Sequence, residues 1–164
     1  MIELSSYRRA YELGRLRDAA LGTAAAAIPL LLARVLGHPL PVALSILALL
    51  MFAVLRWRGR WWDRAANVGL AMGFIPFTVP VALSVLSRVD CPPYCEPICA
   101  IAGLVAGVGL GSFAREGNVA PVLAGTALAI LVGVLGCTAF GATTAVGMAG
   151  AVVVGVGFGR MRSA

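Results

Sequence analysis

Four cysteines are the residues of this chain most able to do chemistry, and three of them, Cys91, Cys95 and Cys99, recur at intervals of four, with Cys137 farther along. Thiols in that number can form disulfides, exchange them, or bind soft metal ions as thiolates. Four cysteines admit three pairings, and spacing alone does not choose among them. Intervals of four would align the first three on one helix face, but Pro92, Pro93 and Pro97 interrupt the segment, so an irregular loop held by a bond is expected. Structural disulfides, a thiol or soft-metal sensor, and ordinary buried thiols are the three readings of the set. A zinc site would show paired CxxC spacing with histidine, and the single histidine, His38, belongs to a different hairpin, so metal binding stays open.

Other chemistries are closed by composition. All 13 basic residues are arginine, which removes Schiff-base and phosphate-loop lysines. One histidine and no carboxylate in the apolar runs leave little for a general acid and base, so no enzyme and no cofactor are expected, thiol–disulfide exchange aside. The net charge of +6 could suggest nucleic acid. Yet the arginines are confined to short segments between apolar runs, where they act as topology determinants beside anionic lipid, and nucleic-acid binding is not expected.

The elements that must position these cysteines are membrane helices. Sixty per cent of the residues are hydrophobic and 12% charged, against roughly 45–50% and about 25% in soluble domains. There is too little polar surface to face water, so a lipid bilayer is the expected partner. The expected fold is an all-α, polytopic helical bundle of six transmembrane spans in three successive hairpins, or five if the last stretch is partly re-entrant. The spans fall near residues 19–36, 41–55, 65–87, 98–114, 121–140 and 144–159, between a cytoplasmic amphipathic helix over 1–18 and a cytoplasmic tail over 160–164. No cleavable signal peptide is visible, so the first span is expected to remain. Pro76 and Pro80 fall inside the third span, where neighbouring helices or local readjustment must satisfy the carbonyls they free. From 119 to 159 no charge appears, a stretch that at about 1.5 Å per residue is twice the hydrocarbon thickness and must fold back, near residues 140–144.

Arginine placement orients the bundle. With both termini in the cytoplasm, Arg8, Arg9, Arg15, Arg17, Arg56, Arg58, Arg60, Arg64, Arg115, Arg160 and Arg162 lie inside, and only Arg34 and Arg88 lie outside. Trp57, Trp61 and Trp62 alternate with Arg56, Arg58, Arg60 and Arg64, as at a membrane interface. All four cysteines then gather at the opposite face. Gly103, Gly107 and Gly111 repeat at GxxxG spacing, as do Gly155 and Gly159, so these faces are expected to pack on each other or, in a homo-oligomer, on a second copy. Ionisable groups are missing from the middle of the spans, which argues against ion-coupled transport. The amino-terminal segment, with Tyr7, Arg8, Tyr11 and Arg15, is an interfacial helix or a docking helix for a cytosolic protein.

Cys99 opening a span, the loop Arg115-Glu116-Gly117-Asn118-Val119-Ala120-Pro121, a small-residue helix ending near Cys137, and a glycine-rich span closing in Arg160-Met161-Arg162 resemble the NrsF-type membrane anti-sigma factor family over residues 97–162. The resemblance implies a six-helix inner-membrane protein of bacteria that holds a sigma factor through its amino-terminal segment and responds to stress through external cysteines. Cys99 and Cys137 would be the sensing positions. The chain departs from the pattern in being short, in lacking the polar stretch after the second matching cysteine, and in its two additional cysteines.

The leading reading is therefore a non-enzymatic regulator of transcription whose outer cysteines respond to redox or soft-metal stress. A second is a small carrier or channel for a soft metal or small solute, with Cys91, Cys95 and Cys99 as its capture site. A third is a structural subunit of a membrane complex.

Overall fold

The computed structural model describes residues 12–14, 16–17, 20, 23–24, 27, 39–87, 95–113, 119–137 and 141–162. Tyr7, Arg8, Tyr11, Arg15, His38 and Cys91 lie outside them, as does most of the expected first span, although the described positions from 12 to 27 are helical. Beyond these, the described chain forms five helices: α1 (Pro39–Arg58), α2 (Arg60–Ser87), α3 (Cys95–Phe113), α4 (Val119–Cys137) and α5 (Ala142–Met161). Among the described residues there is no strand.

Proline and glycine set most of the boundaries. Pro39, Pro97 and Pro121 each sit in the first turn of a helix, where a missing N–H would have had no intrahelical partner. Gly59 separates α1 from α2 at φ +132°, and Gly141 precedes α5 at φ +124°, both in backbone that L side chains rarely adopt. The Asp63 N–H donates to the Gly59 carbonyl at 2.9 Å, carrying the chain directly into α2.

Where the described helices overlap the expected spans, several begin earlier or run farther. α1 runs through Trp57 and Arg58 rather than ending at 55, and α2 begins at Arg60 rather than 65. The expected loop through Cys95 and Pro97 is instead the first turn of α3, because a proline there costs no hydrogen bond. α4 is described from Val119 to Cys137, two residues earlier at its start than expected, and α5 begins at Ala142.

Among the described residues three helices, α3, α4 and α5, are long and apolar enough to cross a membrane. Their packing skips a helix in the chain. Gly103 on α3 lies against Met148 on α5, Gly107 against Val152 and Gly155, and Gly111 against Val156 and Gly159. On the other side, Gly69 of α2 lies against Gly125 of α4, Gly73 against Ala129, and Phe77 against Gly136. Numbers rise together along both seams, so α3 runs parallel to α5 and α2 parallel to α4. A helix between two parallel neighbours must return to the starting side, which makes α3 and α4 full-length return paths. The seams therefore bring Arg56 to Arg64, the end of α3, the start of α4 and Arg160 to one end of the bundle. Cys95, Cys99 and Cys137 fall at the other.

Larger side chains dock α1 onto this frame. Ala48, Phe52 and Leu55 pack with Ala66 of α2 and with Leu128 and Val132 of α4. A second cluster joins Cys99 and Leu110, Ala129 and Cys137, and Ala145, Met148 and Val152. Ile101, Val105, Leu123, Val146, Val153 and Val154 point outward and are more than half exposed, an apolar exterior suited to oil.

A buried pair of thiols as the candidate functional site

Cys99 sits one turn inside the start of α3, and Cys137 is the last residue of α4. Thirty-eight residues apart in sequence, their Sγ atoms stand 3.0 Å apart, with the Cys137 thiol donating to that of Cys99. Both are free thiols, and neither side chain is exposed.

Small residues allow this approach. A methyl group at Gly136 would stand 2.7 Å from the Phe77 Cα, and one at Gly133 would stand 2.9 Å from the Pro76 Cγ, so α4 lies directly on α2 in its last turn. Met148 of α5 fills the space one turn deeper, its Cε 2.8 Å from where a Gly133 Cβ would be and its Cγ 3.1 Å from where a Gly103 Cβ would be. Four helices thus converge on the pair.

A second partner comes from α2. The Cys137 thiol also lies 3.9 Å from the Pro76 carbonyl oxygen, within reach of a weak S–H donor. That carbonyl would ordinarily accept from the N–H four residues on, but residue 80 is proline and has none. Thr78 Oγ1 donates back to the Phe74 carbonyl at 2.7 Å, a bond that tends to bend a helix at the same point. Neighbouring helices or local readjustment were expected to serve carbonyls freed by these prolines, and at Pro76 the neighbour within reach is the Cys137 thiol of α4.

Two thiols at this distance can lose two electrons and two protons to become a disulfide, or lose protons to a soft cation that they hold together. Among the described residues no three histidine, cysteine, aspartate or glutamate side chains come together to hold a metal. Cys95 opens α3 one turn before Cys99.

The arginine–tryptophan segment forms the opposite end of the bundle. Trp57 and Trp61 are half exposed, and Arg64 is exposed. Arg58 lies over the Trp62 ring at 5.1 Å, and Arg56 lies 5.8 Å from the Phe52 ring centroid. Arg56 Nε is 2.9 Å from Asp63 Oδ1, which is buried and has no aligned hydrogen bond, so the contact is a charge pair rather than a directed bond. Arg60 opens α2 in the same turn. Gly103, Gly107, Gly111, Gly155 and Gly159 belong to the α3·α5 seam and form no part of the thiol site except through Met148.

Sequence reasoning singled out the cysteines but not Met148, nor the pairing of Pro76 with Cys137. The spacing of four between Pro76 and Pro80 was the available signal, because it marks a carbonyl whose usual donor, the N–H of residue 80, is missing. No protein-family model, no curated protein and no solved structure matches this chain.

Proposed function

We propose that this chain is a six-span inner-membrane protein of bacteria with both termini in the cytoplasm. It acts as a non-enzymatic regulator: the Cys99–Cys137 pair at the outer face sets the helix packing, and the amino-terminal segment holds a cytosolic partner of the sigma-factor class. The observation that carries this reading is the 3.0 Å contact between two buried thiols contributed by different helices. A disulfide at this position would be a cross-brace between α3 and α4, present in one state and missing in the other. An oxidant shifts such an equilibrium only by its preference for one packing, and bond formation between two specific helices supplies that preference.

The bundle's polarity supports the orientation, since the basic turn at Gly59 and Arg160 stand at the end opposite the thiols. α1 has 20 residues and α2 has 28, about 30 and 42 Å of helix, enough to cross beside the three more apolar spans. With a helix over residues 19–36 the count is six. The oxidation balances with a small disulfide as acceptor: two thiols and one disulfide become a Cys99–Cys137 bond and two small thiols.

The test is copurification of a sigma factor with the full chain from native membranes, before and after oxidation. Deleting residues 1–17 abolishes capture on this reading, and Cys99→Ser or Cys137→Ser leaves capture insensitive to oxidant. Undiminished capture by the deleted chain, or wild-type oxidant sensitivity retained in either serine variant, would sink it.

A further inference from the structure

Building on the thiol pair proposed above, we infer that the redox state of Cys137 is read by α2 through the Pro76 carbonyl, so that the turns of α2 beyond Phe77 are the element that moves. In the thiol state Cys137 has one proton and two acceptors within reach: the Cys99 sulfur at 3.0 Å and the Pro76 carbonyl oxygen at 3.9 Å. Forming the disulfide removes that proton altogether. Cys137 can then donate to nothing, and the Pro76 carbonyl is left in an apolar interior with no N–H at residue 80 to replace it.

A buried acceptor without a donor favours any rearrangement that finds it one. α2 is the helix best able to rearrange there, because its ladder already lacks the N–H groups of Pro76 and Pro80 and carries the Thr78 back-bond. It is also the helix that joins the thiol end to the arginine–tryptophan turn, since it runs unbroken from Arg60 to Ser87. Glycine contacts hold α2 against α4 at Gly69 and Gly73 and again where Gly136 meets the Phe77 backbone. The movable part is thus confined to the turns beyond Phe77, and its consequence is a change in how α2 leaves the bundle at that end.

The geometry separates bond formation from carbonyl release, and three substitutions do the same. Cys137→Ala removes the donor without making a bond. Cys137→Ser keeps a donor and forbids the bond. Pro80→Ala supplies the missing N–H to the Pro76 carbonyl and leaves both cysteines in place.

Amide hydrogen exchange over residues 77–84 of the full chain in lipid nanodiscs reads the outcome, with 2,2′-dithiodipyridine as oxidant and peptide mapping to establish the Cys99–Cys137 bond. The reagent balances as two protein thiols giving one disulfide and two thiopyridones. In the wild-type chain, oxidation speeds exchange in this segment by about tenfold, the scale expected when one buried acceptor loses its donor. Reduced Cys137→Ala exchanges like the oxidised wild type, and Cys137→Ser exchanges like the reduced one. Pro80→Ala forms the disulfide with no change in exchange. If the bond forms and wild-type exchange stays constant, or if Cys137→Ala matches the reduced wild type, the coupling is overturned while the thiol reading stands. If no Cys99–Cys137 bond forms at all, the thiol reading itself falls.

Discussion

The α3·α5 seam and the outer half of α2 are built on opposite terms. Along the seam, Gly103, Gly107 and Gly111 face Val152, Gly155 and Gly159 so closely that backbone meets backbone, and few side-chain rotamers are available to change. In α2 beyond Gly73, the backbone ladder is interrupted at Pro76 and Pro80, and a carbonyl there relies on a side chain from another helix whose proton can be taken away. The first arrangement has one packing. On the reading proposed above the second has two, so that one element responds against a frame that holds still.

That contrast can be broken most forcefully at Gly107. A Cβ there collides with the Val152 carbonyl, so Gly107→Val should cost upwards of about 3 kcal/mol, beyond ordinary overpacking because backbone cannot step aside. Reversible SDS titration of the purified chain measures this, and a cost under about 1 kcal/mol would mean the seam is not rigid. Met148 sharpens the contrast, since it is buried between the seam at Gly103 and the proline face at Gly133. Met148→Ala should cost about 2–3 kcal/mol and also raise the rate at which the thiols react, because the floor beneath them is lost. An equal cost with no change in thiol reactivity would detach Met148 from the site. The smallest effect is expected at Gly150, where a methyl meets open space: Gly150→Ala should be neutral or stabilising by up to about 1 kcal/mol. A large loss there would show that this face of α5 is covered by another chain.

The rigid half of the molecule was the more legible in sequence. Glycines spaced by four on two apolar helices announce a close seam, because only a missing Cβ lets backbones approach. The helices themselves followed from apolar length, and their limits from proline and glycine, with Pro97 misjudged because its place in a first turn makes it harmless. The partnership of the seams was hidden: chain order suggests hairpins, whereas the closest contacts join α3 to α5 and α2 to α4. The adjustable half was legible only in pieces. Pro76 and Pro80 mark a freed carbonyl, and Cys99 and Cys137 were expected at one face, but nothing local says that residues 38 apart meet at a carbonyl 61 residues from Cys137. That juxtaposition exists only once four helices have assembled.

The most direct measurement is the connectivity of the bond formed when the full chain, in lipid, is treated with a small disulfide and mapped by mass spectrometry. The arrangement of α3 against α4 predicts a peptide joining Cys99 to Cys137 as the main intramolecular product. A map in which Cys99 pairs with Cys95, or Cys137 stays unmodified after complete reaction of the other thiols, would contradict it.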